Sequence, residues 1–193
     1  APDILKNLLG KWGETLWIFA NGMDPTPVAK IDYEGIIKGI GNSMTTPRDL
    51  VNNEDAKLLL YVLAESVGER LRSHNLKGRT VQITIRDNEM GFIERQAKLP
   101  QHSYISTEIA EKAYEIFLNS WNWPKPLRLL GVRATDLVTA DTCIQLSFFD
   151  DARERKELLD ISIDRVRERF GHYAVQRALL LKDKALNANP VEE

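Results

Sequence analysis

A single cysteine, Cys143, stands in 193 residues, which excludes an intramolecular disulfide and any cysteine-built metal site. A reducing, cytoplasmic setting is the expectation that follows. The three histidines, His74, His102 and His172, are far apart, and none belongs to a ligand-spaced cluster. No glycine-rich loop of the P-loop or dinucleotide type is present. No stretch approaches the about 18 consecutive apolar residues of a membrane span, so no membrane partner is expected. The start, Ala1-Pro2-Asp3-Ile4, lacks the basic region and apolar core of a secretory signal. It also lacks an initiator methionine, so the chain reads as part of something longer. Cys143 could serve as a nucleophile only if the fold brought a distant histidine to it. No catalytic and no metal-ligating residue is therefore assigned.

What is present is enough for one domain with appendages. Hydrophobic residues make up 43% of the chain, sufficient for a sizeable core, and the 28% of charged residues favours solubility. Ile4 to Met23 places Leu5, Leu8, Leu9, Trp12, Leu16 and Phe19 at near-helical spacing, with a stop at Asn21-Gly22. Trp12 falls on the apolar face, which favours core packing. Residues 24–35 read as a linker. Residues 36–47, closed by Pro47, read as an edge-type strand. Asn53 to about Asn75 carries Ala56, Leu59, Leu60, Leu63, Val67 and Leu71 on one helical face, capped by Asn52 or Asn53.

Next comes a half-buried strand in which Val81, Ile83 and Ile85 alternate with Thr80, Gln82, Thr84 and Arg86. A turn at Asp87-Asn88 leads to a strand from Phe92 to Leu99, stopped by Pro100. Ser106 caps a helix whose face holds Ile109, Ala113, Ile116 and Phe117. Trp123, between the helix end and Pro124, is expected to wedge against the sheet edge. Residues 127–138 form the last strand. A charged helix over 152–170 follows, with Leu159, Ile163, Val166 and Phe170 on one stripe, ended by Gly171.

The order strand, helix, strand, strand, helix, strand predicts an α+β fold: a four-stranded antiparallel sheet with two helices on one face. A helical segment precedes it and a helix follows it. The other face of the sheet is left to Thr80, Gln82, Thr84 and Arg86. The net charge of −2 gives no global sign of a polyanion partner, but its distribution does. Segments 36–48, 79–99 and 125–136 hold nine basic and four acidic residues, while helices 53–75 and 106–121 hold four basic and seven acidic. A basic sheet backed by acidic helices suits an anionic polymer on the sheet side.

The chain resembles the Y-family of translesion DNA polymerases, the DinB- and UmuC-like or ImpB/MucB/SamB group. Leu9-Gly10-Lys11-Trp12-Gly13-Glu14 and Ala20-Asn21-Gly22-Met23-Asp24 resemble the end of the family's thumb. Gly39 to Pro47, Lys77 to Val81, Arg95 to Pro100 and Leu127 to Arg133 resemble the four strands of its little-finger domain. Gln145-Leu146-Ser147-Phe148-Phe149 resembles a sliding-clamp motif, with Phe148 where the usual pattern has leucine. Arg167 to Gly171 resembles the segment that follows the motif in Gram-positive members. On this resemblance residues 1–24 are the end of the thumb, 25–35 a linker, 36–140 the little finger, 141–151 the clamp-binding-like segment and 152–193 a helical extension.

The resemblance implies the non-catalytic, DNA-gripping part of an error-prone polymerase acting in the SOS response to DNA damage. Its nucleotidyl-transfer carboxylates and Mg2+ belong to a palm domain N-terminal to residue 1, so no cofactor is expected here. The implied partners are a primer-template duplex and the bacterial sliding clamp, and a monomer is expected. Thr45, Thr46, Arg79, Thr80, Arg95 and Arg133 are the first phosphate candidates, followed by Ser43, Arg86, Lys98 and Arg128. Many members carry a second basic residue where this chain has Ala97, and Glu89 and Glu94 add negative charge nearby.

Two other readings remain. The βαββαβ order is shared with RNA-recognition folds, whose central strands present stacking aromatics, whereas the strands here offer Thr, Gln, Arg and Phe92. A protein-interaction module would put the function in residues 145–149 and the last helix, where Leu146, Phe148 and Phe149 could instead be a strand of the domain's own core.

Overall fold

The computed structural model describes residues 2–28, 35–141, 151–183 and 185–186. The chain divides into two compact units, Ala1–Ile36 and Ile37–Glu193.

In the first unit the expected single helix is two, α1 (Pro2–Leu9) and α2 (Lys11–Ala20). The break falls at Gly10, whose φ of 61° lies in the left-handed region open to glycine. Gly13 allows the close approach of the two helices, because a Cβ there would meet the Leu5 carbonyl oxygen at 2.0 Å. Trp12 is not a core residue: it is 76% exposed, and Leu8 and Phe19 are exposed with it. Helices of 8 and 10 residues have too little surface to enclose that stripe between themselves.

The second unit runs β1 (Gly39–Leu50), α3 (Asn53–Ser73), β2 (Leu76–Asp87), β3 (Phe92–Ser103), α4 (Ser106–Ser120), β4 (Leu127–Thr139) and α5 (Asp151–Phe170). Two short 3-10 turns, His172–Ala174 and Ala178–Lys182, follow. The sheet order is β1-β4-β2-β3 and every neighbouring pair is antiparallel. The α+β architecture thus stands as the pattern predicted it, with β1 at an edge. β4 enters between β1 and β2, joining the two halves of the sheet.

The apolar faces of α3 and α4 explain which side of the sheet is covered. Leu59, Leu63 and Leu71 of α3 and Ile109, Ala113 and Phe117 of α4 are buried against Val81, Ile83, Ile85, Leu130 and Val132. Each such side chain contributes about 1.5–3 kcal/mol on burial. A one-residue slip of β2 would exchange Ile83 and Ile85 for Thr84 and Arg86, so the register is fixed by the core.

Local chemistry sets the ends. Asn52 caps α3, its Oδ1 accepting from the Asp55 N–H at 2.8 Å. The β2–β3 turn is tied by Asp87, whose Oδ1 accepts from the N–H groups of Glu89 (2.9 Å) and Gly91 (2.7 Å). β3 does not stop at Pro100. Its ladder steps from Thr80↔Lys98 to Gly78↔Ser103, leaving Pro100 in a bulge where no N–H is required.

Three expectations about the helices change, two of them through α5. Ser106 is not the cap of α4: Ile105 holds that position, and the Ser106 N–H donates to Asp160 Oδ2 of α5 at 2.8 Å. The stripe Leu159–Phe170 is not the buried side of α5, since Leu159 and Phe170 are exposed while Asp160 and Arg167 are buried. Charge pairing, not apolar burial, orients this helix. Trp123 leaves the sheet edge for the helices: its Nε1 donates to Asn53 Oδ1 at 2.6 Å and its ring meets Phe117 edge-on at 5.8 Å.

Candidate nucleic-acid interface

Because strand side chains alternate, the register lays out the uncovered face in four rungs across β1, β4, β2 and β3. They are Gly39–Thr135–Thr80–Lys98, Gly41–Arg133–Gln82–Gln96, Ser43–Gly131–Thr84–Glu94 and Thr45–Leu129–Arg86–Phe92. The face carries three cations, Lys98, Arg133 and Arg86, against one carboxylate, Glu94. Among short polar and glycine positions, its one aromatic residue is Phe92 on the edge strand. The Arg86 guanidinium lies 5.8 Å from that ring's centre.

Toward β1 the face sinks into a trough of about 460 Å³, lined by Gly41, Ser43, Gly131, Gln82, Arg70 and Arg133 among others. Three of its lining residues, Gly39, Gly41 and Gly131, carry no side chain. Arg70 was not foreseen: it belongs to α3, yet its Nη1 reaches round the sheet edge to the Gly41 carbonyl at 3.0 Å. Its place in the last turn of α3, one connection away from the sheet, was the available signal. Glu94 closes the far side, where the Thr84 hydroxyl donates to its Oε1 at 3.2 Å.

The sequence-predicted residues separate by position. Ser43, Thr45, Lys98 and Arg133 are exposed on this face, and Arg86 is half-buried there. Thr80 shares the face but is buried at the sheet centre. Thr46 is 1% exposed, and its hydroxyl donates to the Arg128 carbonyl at 3.1 Å, so it holds the β1–β4 pair together. Arg95 pairs across to Ile83 and so projects from the opposite face; its Nη1 donates to the Glu94 carbonyl at 2.8 Å. Ala97 pairs with Val81 on that same opposite face, so a basic residue there would add nothing to the open one. Arg79 sits at the register shift with its Nε buried and, among the described residues, unpartnered.

Three other cations of the basic segments are already paired. Arg128 meets Asp49 at 3.3 Å, and Lys125 meets Glu89 at 2.5 Å, which raises the lysine pKa. Arg48 bridges Asp55 (2.7 Å) and Asp183 (2.9 Å), hydrogen bonds that raise its pKa and lower that of Asp183. Residues 145–149 lie outside the described residues. Among the described residues no group of three or more His, Cys, Asp or Glu side chains converges as metal ligands would. Among the described residues no helix is long and apolar enough to cross a membrane.

Residues 37–148 match the model of the impB/mucB/samB family C-terminal domain, starting at the first residue of the second compact unit. The chain belongs to the impB/mucB/samB family. It is 64% identical over 187 residues to a DNA polymerase IV of Acetivibrio thermocellus, covering 96% of this chain and 47% of that protein. It is 39% identical over 200 residues to DNA polymerase IV 2 of Halalkalibacterium halodurans, covering 100% of this chain and 47% of the relative. With DNA polymerase IV 2 of Bacillus subtilis it shares 36% identity over 184 residues, 93% of this chain and 43% of the relative. The chain thus spans just under half the length of these relatives, and the match to the family's C-terminal domain falls within its second unit.

Proposed function

We propose that this chain is the DNA-gripping C-terminal portion of a translesion DNA polymerase, holding duplex phosphates without reading sequence. The observation that carries the reading is the open face itself: Arg133, Lys98 and Arg86 spread over three strands among Ser, Thr, Gln and Gly. Cations contribute most of the affinity for a phosphate backbone, and short polar groups and main chain can follow it closely without engaging base edges. A polymerase that must translocate gains from such indifference. The central strands offer no aromatic residue for base stacking, which separates this face from an RNA-recognition sheet.

The nucleotidyl-transfer carboxylates and their Mg2+ are assigned to the N-terminal half of the longer protein, so this portion binds and does not catalyse. Residues 145–149 form a tether to the sliding clamp, Gln145 at a pocket rim and Leu146, Phe148 and Phe149 in an apolar groove. The setting proposed is cytoplasmic and the chain a monomer.

The test is fluorescence anisotropy with two duplexes of unrelated sequence, in a salt series. Equal affinities that fall linearly on a log–log plot are expected. A strong preference for one sequence, or for single-stranded RNA, would contradict the reading. For the tether, the chain should bind the clamp and the Gln145→Ala/Phe149→Ala variant should not; equal binding by both removes the motif from that role.

A further inference from the structure

Gly39 and Gly41 stand on the open face of β1, opposite Thr135 and Arg133. Neither adopts a backbone conformation that requires glycine, since the positive-φ glycines are Gly10, Gly22 and Gly171. Glycine weakens a strand interior, so its presence at alternate positions of one face calls for another cause. The space around them supplies it. A Cβ on Gly41 would lie 2.9 Å from both Cβ and Cγ of Arg133. A Cβ on Gly39 would lie 2.8 Å from Arg133 Nε and 2.9 Å from the Thr135 methyl carbon. The Arg133 side chain therefore leaves β4 beside Gly41 and runs over bare β1 backbone to Gly39.

We propose that Gly39 and Gly41 are positioning residues for Arg133, forming a side-chain-free track that lays the arginine flat and aims its guanidinium along the trough. This rests on the reading of the open face as a phosphate grip. A free arginine loses rotamer freedom when it binds a phosphate, whereas one already laid in a track loses less. Arg133 forms no ion pair among the described residues, so the track, not a carboxylate, sets its direction. Arg70 marks the far side of β1, where its bond to the Gly41 carbonyl secures the strand that carries the track.

The experiment is a double-mutant cycle on duplex-DNA affinity with Gly39→Ala, Arg133→Ala and the pair, each checked by thermal unfolding. Gly39→Ala meets the flexible end of Arg133 but also the Thr135 methyl carbon at 2.9 Å and the Ala134 carbonyl oxygen at 3.1 Å, so an affinity loss counts only in a variant whose thermal unfolding matches wild type. Gly41→Ala, which presses on the Arg133 stem, is the second variant. Arg133→Ala should lower affinity on the order of threefold to tenfold and reduce the salt slope by about one. Gly39→Ala should reproduce most of that loss with the charge still present, and should add nothing once Arg133 is gone. Wild-type affinity in both glycine variants, beside an impaired Arg133→Ala, would overturn the positioning role and leave the grip standing. Losses that simply add would overturn it as well. Wild-type affinity in Arg133→Ala would withdraw Arg133 from the grip and the track with it.

Discussion

The two faces of the second unit use arginine in opposite ways. On the helical side, Arg167 Nη2 meets Glu65 at 2.8 Å and Arg177 Nε meets the other oxygen of the same carboxylate at 2.6 Å. Arg72 grips Asp164 through Nε and Nη2, touches Asp160 at 3.3 Å and donates to the Tyr104 carbonyl at 2.8 Å. Arg72, Arg167, Glu65 and Asp160 are buried and engaged, with Arg177 and Asp164 at their rim, and the pairs dock α5 onto α3. On the sheet side Arg133 and Lys98 are exposed and meet no carboxylate among the described residues. The same residue type closes the fold where a partner is built in, and is left available where none is. Counting basic residues by strand could not see that difference, which is why Arg48, Lys125 and Arg128 swelled the apparent charge of the sheet while being paired within the chain.

The largest expected effect tests the closed side. Glu65→Ala leaves buried Arg167 without an ion pair and Arg177 with only Asp160 at 3.5 Å, and should cost about 3–5 kcal/mol in chemical denaturation, the usual penalty for breaking a buried pair. A loss under about 1 kcal/mol would mean that α5 is held by something else. On the open side, Glu94→Gln removes the one carboxylate and should strengthen duplex binding about two- to fivefold at low salt. Unchanged affinity would put the phosphates elsewhere.

Arg48→Ala sharpens the distinction from a third direction. Its ion pairs with Asp55 and Asp183 are good in geometry but stand in water, so the stability change should stay below about 1 kcal/mol. A loss as large as that of Glu65→Ala would erase the contrast between buried and exposed pairing.

The smallest effect is on pH. Tyr61 and Tyr104 both have raised pKa values, chiefly by burial and then by Glu111 and Glu157 respectively. The folded chain therefore holds these phenolic protons more tightly than the unfolded chain does. The stability this contributes is complete below the ordinary tyrosine value of about 10 and is lost as pH rises through the folded values. Tyr61→Phe should flatten the alkaline limb of the stability curve slightly, and an unaltered limb would count against the shift.

The element order and the open side of β2 were readable because period-2 and period-3.6 patterns in 53–75 and 80–86 leave few alternatives, whereas the rungs needed the register of the structure. The failures at the helices share a cause: they depend on a partner distant in sequence. Asp160 supplies a hydrogen-bond acceptor to the start of α4, so the cap was sought in Ser106. α5 is oriented by ion pairs to residues about 90 to 100 positions earlier, so its apolar stripe pointed the wrong way. Thr46 looked like its neighbour Thr45, but alternation around a register shift turned it inward. Arg95 looked like Lys98, yet an odd offset in a strand means the other face.

The most direct measurement is the slope of log affinity against log salt for duplex DNA, in the wild-type chain and in Arg86→Ala/Lys98→Ala/Arg133→Ala. With three phosphate contacts removed, the slope should become shallower by about two to three, while thermal stability stays close to wild type. An unchanged slope in a folded variant would mean that these cations meet no phosphate, and the contrast between the two faces would lose its functional meaning.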